Sequence, residues 1–337
     1  MLNEEEHIER VISGFLDSGY PNLTEILVAD GGSTDKTRQI VIALGEKEPR
    51  IKLIGNAEKY QSFGLNKMIE VAEGEIFLRA DGHCFYADNY IEKCVETLLE
   101  TGAKNVGGAQ RYKASNYVQA GIALAVKSFL GNGGAKYMDI NYNGYADTVF
   151  LGCFWTKDLQ EIGGFNTENV TNQDSELNLR FIEKFGECIY INSEIKSWYF
   201  PRESFGKLFE QYIRYGRGRF LTRVLHPENS PLRGMAPFIS LLLLAVFGIT
   251  DLFTQVHFYT LEILIGLAII VLFESLRLSI SKSELFKRDI WESKTKAPGF
   301  LNRALSSSIT IVLMQVGHFL GFLFQLLRKI IIRVKGW

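Results

Sequence analysis

Three acidic positions and one imidazole stand out because each closes an apolar run or opens a helix. Ile76-Phe77-Leu78-Arg79-Ala80 leads straight into Asp81-Gly82-His83-Cys84. A carboxylate and an imidazole one residue apart at a strand end can share a divalent cation with a diphosphate. Mg²⁺ prefers oxygen ligands, and the imidazole makes Mn²⁺ at least as suitable. The same triplet also spells an ordinary turn, with Asp-Gly bending the chain and His83 a plain polar residue. Strand Glu25–Asp30 likewise delivers Asp30 ahead of Gly31-Gly32-Ser33-Thr34-Asp35. Strands that end on acids are how an open sheet builds a nucleotide site, where Asp30 can accept hydrogen bonds from a base N–H or from ribose hydroxyls. An Asx turn leading into a capped helix fits this segment equally well.

Farther on, Gly163-Gly164-Phe165 precedes Asn172-Gln173-Asp174-Ser175-Glu176 and the helical run Leu177–Phe185. An Asp on a loop that opens a helix can serve as general base toward a sugar hydroxyl. Thr171-x-x-Asp174 also reads as a capping box, whose backbone donors would hold the Asp174 carboxyl low and make it a charged but weak base. Gln211-Tyr212-Ile213-Arg214-Tyr215-Gly216-Arg217-Gly218-Arg219 continues to Arg223. Four arginines among tyrosines and glycines suit a diphosphate or anionic lipid. A juxtamembrane basic belt explains the same charge.

The elements that must hold these residues alternate. Helical periodicity over Ile8–Phe15, Asp35–Lys47, Gly64–Ala72 and Tyr90–Thr101 separates strand-like runs at Glu25–Asp30, Ile51–Gly55, Ile76–Asp81 and Asn105–Ala109. This βαβ series predicts an α/β domain with a mostly parallel central sheet. Ser33/Thr34 ahead of Asp35 and Ala87-Asp88 ahead of Tyr90 mark helix starts. At 337 residues, 47% hydrophobic and 22% charged, the chain is long enough for about two domains and too apolar for disorder. Its net charge of −1 gives no global pull toward nucleic acid. Cys84, Cys94, Cys153 and Cys188 are scattered, which suits reduced thiols, and the acidic start Met1-Leu2-Asn3-Glu4-Glu5-Glu6 is not a signal peptide.

After Gly234 the sequence turns apolar. Met235–Phe253 and Val256–Leu276 each approach the roughly 20 residues a membrane span needs. Ser308–Leu327 is a third candidate, interrupted by Gln315, His318 and Gln325, and it either crosses or lies in the interface as an amphipathic anchor. Arg202–Arg233 and Arg277–Arg303 each hold seven Lys/Arg against three acids, whereas the link between the first two spans holds no Lys or Arg. That bias predicts a cytoplasmic N-terminal domain and Arg277–Arg303 loop, in a cell (inner) membrane. Arg328, Lys329, Arg333 and Lys335 run against it if the third segment crosses. The expected layout is a catalytic domain over 1–200, a basic juxtamembrane segment over 201–234 and a membrane region over 235–337.

Taken in order, these pieces resemble the family 2 glycosyltransferases of the GT-A type, and most closely their membrane-associated succinoglycan glucosyltransferase-like subgroup. Asn3-Glu4 resembles the Asn-Glu after the family's first strand, and Val28–Asp35 its nucleotide-binding stretch. Asp81-Gly82-His83 resembles the family DxD in a DxH form. Gln173-Asp174 resembles the catalytic Glu/Gln-Asp pair, and Gln211-x-x-Arg214-Tyr215 resembles Gln/Arg-x-x-Arg-Trp with Tyr in place of Trp.

The resemblance implies an inverting, metal-dependent transferase that moves sugar from a nucleoside-diphosphate sugar, UDP being the commonest nucleotide, to a polyprenyl-diphosphate-linked acceptor. Glu4, Asp30 and Asp81 would hold the donor, with Asp81 and His83 on Mn²⁺ or Mg²⁺. Asp174 would deprotonate the acceptor hydroxyl, and Gln211, Arg214 and Tyr215 would line the acceptor and diphosphate side. Tyr215 in place of Trp argues against a processive β-glycan synthase, and a non-catalytic nucleotide-sugar-binding membrane protein is the remaining alternative. Family members carry an apolar strand before the Asn-Glu. Its absence here predicts a gap in the sheet and a natural chain that starts about 5–10 residues earlier.

Overall fold

The computed structural model describes residues 1–332 and 336–337, so Arg333 and Lys335 lie outside the described residues. In chain order the strands are β1 (Ile26–Asp30), β2 (Ile51–Gly55), β3 (Ile76–Leu78), β4 (Cys84–Tyr86), β5 (Asn105–Gly108), β6 (Gln110–Tyr112), β7 (Gly144–Tyr145), β8 (Phe150–Trp155), β9 (Ile189–Ile191) and β10 (Ser197–Tyr199). The chain forms two compact units. Met1–Arg111 with Asp139–Tyr199 is the first, and Tyr112–Met138 with Phe200–Trp337 is the second. The segment Tyr112–Met138, which the sequence reading groups with the catalytic domain, therefore belongs to the C-terminal unit.

In the first unit the sheet is mixed, where a mostly parallel one was expected. β1 and β2 pair in parallel, as do β5 and β9, but β8 runs antiparallel between β3 and β5, and β7 closes the edge antiparallel to β9. β4, β10 and β6 form a separate three-stranded sheet in that order, with β4 and β10 antiparallel. The physical reason is β8: it follows β7 with no helix between them and enters the middle of the sheet opposite in direction to both of its neighbours, β3 and β5. Helix Ile8–Asp17 buries Ile8, Val11, Ile12 and Phe15, the i, i+3, i+4, i+7 stripe of an amphipathic helix. Ile8 and Ile12 join Val28, Val41 and Ile51, while Val11 and Phe15 join Tyr90, Leu98, Val106 and Cys153. One helix thus ties the β1–β2 layer to the larger sheet. All four cysteines are buried free thiols.

The larger sheet ends at β3, and β1 pairs with no strand but β2 among the described residues. Between them lies a cavity of about 560 Å³, lined by Ile26, Leu27, Leu65, Ile76, Phe77 and Trp155 among others. On that side Met1 bonds to β1: its amine donates to the Ala29 carbonyl at 2.7 Å, and its carbonyl accepts from the Gly31 amide at 2.8 Å. The sheet gap that the sequence predicts is present.

The second unit is built on helix Phe300–Leu327. Helix Phe205–Leu225 crosses it at glycines: a Cβ on Gly321 would strike the Ile213 carbonyl, and one on Gly216 the His318 carbonyl. Ser306 Oγ donates to the Tyr117 carbonyl at 2.9 Å on helix Tyr117–Ala125. Among the described residues, three helices are long and apolar enough to cross a membrane, within Ala236–Phe253, Thr260–Ser281 and Phe300–Ile332. The first two expose Leu243, Val246, Ile249, Ile269 and Phe273. The polar interruptions of the third turn toward protein. Gln315 donates to the Leu130 carbonyl at 2.6 Å, Gln325 accepts from Arg217 Nε at 3.1 Å, and His318 stacks on Phe322.

Candidate active site

The site lies in the first unit and begins with a stitched loop. Asp30 ends β1 and is 2% exposed. Its Oδ1 accepts from the Ser33 amide at 3.1 Å and the Ser33 hydroxyl at 2.6 Å, and its Oδ2 faces Arg38 at 3.4 Å. Burial alone would raise this carboxyl, but the Ser33 and Arg38 donors outweigh it and hold the pKa below the ordinary Asp value. The Asx-type turn of the sequence reading is thus formed. The helix does not start where Ser33 and Thr34 suggested. It spans Thr37–Lys47 after an uncapped Lys36, because Ser33 is committed to Asp30 and the Thr34 amide donates to Asn3 Oδ1 at 2.8 Å. Gly32, at φ 82°, makes the left-handed bend that L side chains resist. The loop then positions the N-terminal motif, since the Glu4 amide donates to Thr37 Oγ1 at 2.7 Å and the Asn3 amide to Ser33 Oγ at 2.9 Å.

Asp81-Gly82-His83 forms a tight turn between β3 and β4. The Cys84 amide donates to the Asp81 carbonyl, and the Tyr86 hydroxyl both accepts from the Asp81 amide at 2.7 Å and donates to its carbonyl at 3.0 Å. His83 Nδ1 lies 3.1 Å from Glu4 Oε1, so the N-terminal motif and the DxH triplet meet. Asp30, Glu4 and Asp81 all act electrostatically on the Met1 ammonium, whose pKa burial lowers against them.

Asp174 is the second residue of helix Gln173–Phe185. The capping-box reading fails there: the N-cap is Asn172, left-handed at φ 66°, and it makes no side-chain cap. Asp174 instead turns to Arg79, whose Nη1 donates to Asp174 Oδ1 while Nη2 donates to Asp81 Oδ1 at 3.3 Å. Arg79 is itself 4% exposed. Its amide donates to the Gly152 carbonyl at 3.0 Å, beside the left-handed pair Leu151 and Gly152 at φ 71° and 109°. Such a conformation at a buried leucine is strained and is held by its surroundings. The expectation of a depressed Asp174 pKa is also overturned. Burial raises it, Arg79 pulls it down and Asp81 pushes it up, and the net shift is upward. Its side chain still keeps 39% of its surface accessible, crowded by protein yet open on one side.

Two glutamines complete the ring. Gln173 Nε2 donates to Gln61 Oε1 at 2.7 Å, and Gln61 Nε2 donates to Asp81 Oδ1 at 3.2 Å. Both Oδ1 atoms are therefore engaged, whereas Asp81 Oδ2 and Asp174 Oδ2 accept no hydrogen bond from the described residues. Arg79 and Gln61 went unread in the sequence. Arg79 had a signal, since two residues before Asp81 on an extended segment is the same side of the strand. Gln61 had none.

Of the predicted site residues, Glu4, Asp30, Asp81, His83 and Asp174 belong to this unit. Gln211, Arg214 and Tyr215 belong to the second, on helix Phe205–Leu225, where Gln211 Nε2 donates to Tyr215 Oη at 2.9 Å and Tyr212 packs edge-on against Tyr215. No group of three His, Cys, Asp or Glu among the described residues is placed to hold a metal by itself. An Asp81 oxygen without a protein partner, beside an imidazole, nevertheless fits a cation that takes most of its ligands from a diphosphate and water.

Comparison with known proteins agrees with this geometry. Residues 1–155 match the sequence profile of glycosyl transferase family 2. Succinoglycan biosynthesis protein ExoA of Rhizobium meliloti (strain 1021) is 34% identical over 238 residues, 70% of this chain and 72% of that protein. A dolichyl N-acetyl-alpha-D-glucosaminyl phosphate 3-beta-D-2,3-diacetamido-2,3-dideoxy-beta-D-glucuronosyltransferase of Methanococcus voltae is 30% identical over 273 residues, 78% and 83% of the two chains. Among solved structures, the mannosyltransferase PcManGT of Pyrobaculum calidifontis, in complex with GDP-Man and Mn²⁺, superposes with a TM-score of 0.60 over 98% of this chain and 86% of its own, at 15% identity. That likeness gives the GT-A fold, and the sequence relatives give the membership: this chain belongs to glycosyl transferase family 2.

Proposed function

We propose that the protein is an inverting glycosyltransferase that moves a sugar from a nucleoside-diphosphate sugar, UDP-linked, to a hydroxyl of a lipid-linked saccharide in cell-surface polysaccharide synthesis. The observation that carries this reading is the pairing of Asp81 with Asp174 across one buried guanidinium. Each acid keeps one oxygen that accepts no hydrogen bond from the described residues, so a donor-side and an acceptor-side carboxylate stand together. Asp174 Oδ2 takes the proton of the acceptor hydroxyl as that oxygen attacks C1 from the face opposite the leaving diphosphate. Its raised pKa makes it a stronger base than an ordinary carboxylate, and holding the two substrates in line supplies much of the rate. Glu4 and Asp30 contact the nucleoside. Asp81 and His83 would hold Mn²⁺ or Mg²⁺, which when bound would neutralise charge on the diphosphate.

Gln211, Arg214 and Tyr215 serve the acceptor and diphosphate side. The apolar helices anchor the protein in the cell membrane, with the catalytic unit cytoplasmic as the Lys/Arg bias directs, so that a polyprenyl-diphosphate acceptor keeps its tail in lipid. The names of the two relatives, one in polysaccharide biosynthesis and one acting on a dolichyl-linked sugar, support a lipid-linked acceptor. The test is to incubate membranes carrying the protein with labelled nucleotide sugars, with and without Mn²⁺, and to extract the lipid fraction. Label that enters lipid only with the active protein and the metal is the expected result. Long polymer on a defined acceptor would favour the processive alternative, and neither transfer nor donor hydrolysis would leave a nucleotide-sugar-binding protein.

A further inference from the structure

The buried guanidinium between the two acids is itself part of the working site. We propose that Arg79 is a positioning residue: it clamps one oxygen of Asp174 and one of Asp81, turns the second oxygen of each toward the substrates, and fixes the spacing between the base and the donor side. The inference rests on the reading of Asp174 as base. At 4% exposure Arg79 offers almost no surface to a substrate in this arrangement, so it acts through its two partners. Nη1 serves Asp174 and Nη2 serves Asp81, so the planar fork gives each acid its own nitrogen at a fixed separation, whereas an ammonium would have to serve both from one atom.

The clamp closes into a ring. From Asp81 Oδ1 the path runs through Gln61 to Gln173 and along the backbone to Asp174, then through Arg79 back to Asp81 Oδ1. Gln61 is thus a second strut on the same spacing, uncharged and exposed. The strand end and the helix start that carry the two acids are far apart in sequence and are joined here through Arg79 and the two glutamines. A displacement of about 1 Å between base and donor costs roughly 10²-fold in rate, and this ring is what prevents it.

The experiment compares wild type with Arg79→Lys, Arg79→Ala and Gln61→Ala in detergent-solubilised full-length protein, with Asp174→Asn as the reference for a lost base. We expect Arg79→Lys to keep the melting temperature and to bind nucleoside diphosphate with Mn²⁺ within about threefold, while kcat falls about 10²-fold. Gln61→Ala should lose kcat several-fold with no change in melting. Millimolar guanidinium should restore part of the kcat of Arg79→Ala, and methylammonium of the same charge should not. A kcat for Arg79→Lys within twofold of wild type overturns the proposal, as does a loss confined to KM. Should Arg79→Ala fail to fold, Arg79→Lys and Gln61→Ala decide. An active Asp174→Asn would instead strike at the assignment of the base, independently of Arg79.

Discussion

Replacing Asp174 by Asn separates chemistry from folding more cleanly than any other change here. Two carboxylates share one guanidinium, so the wild-type cluster carries a net −1, and Asp174→Asn brings it to zero without changing shape. The carboxamide oxygen can still accept from Arg79 Nη1. The folded carboxyl has a pKa above the ordinary Asp value, so the folded state holds this proton more tightly than the unfolded chain does. Ionising Asp174 as pH rises from the unfolded pKa through the raised folded one therefore removes stability, and the Asn variant is spared that loss. The variant should melt at or above the wild-type temperature at pH 7, and the difference should vanish at a pH below the unfolded pKa. Loss of a general base typically costs 10²–10⁴-fold, about 2.7–5.5 kcal/mol of barrier. Transfer to a lipid acceptor should fall by that much while calorimetric donor binding stays within about threefold. A variant that keeps a tenth or more of the wild-type kcat refutes the assignment of the base, and one that melts several degrees lower refutes the charge argument.

Asp81→Ala should abolish Mn²⁺-dependent donor binding by calorimetry, and donor binding that ignores both the metal and this substitution would count against the donor side. Removing the cation with a chelator should stop transfer by wild type and leave its melting temperature unchanged, because Asp81 and His83 alone would give the cation few protein ligands and most would come from diphosphate and water. Glu25 accepts from the Glu73 amide at 2.7 Å and from Lys52 at 3.0 Å. Although burial opposes it, these donors lower its folded pKa below 4.5. Its contribution to stability is then fully present above that value and lost as pH falls through the lower folded one, so Glu25→Gln should flatten the melting curve's dependence on acid. Gly321→Ala should destabilise the second unit by about 1–3 kcal/mol, because the new methyl meets the Ile213 carbonyl. Unchanged detergent melting would disprove that close crossing.

The chain alone determined the alternation of strand and helix, the acids at the end of β1 and in the turn just after β3, the apolar helices and the gap in the sheet, since each is written in contiguous residues whose period or length carries the signal. It also supplied Asp174 as a candidate, but with the wrong surroundings. Thr171 and Asp174 have the spacing of a capping box, and only the fold brings Arg79, 95 residues away, to take the carboxylate from the helix. Sequence favoured a mostly parallel sheet because local periodicity carries no strand direction, and β8 entering antiparallel between β3 and β5 is a nonlocal pairing. Gln61 was illegible for a related reason: an exposed glutamine acquires meaning only when Asp81 and Gln173 arrive on either side of it. Tertiary structure thus decided the site's electrostatics, because burial and a buried charge partner set a pKa, and neither exists until distant segments pack.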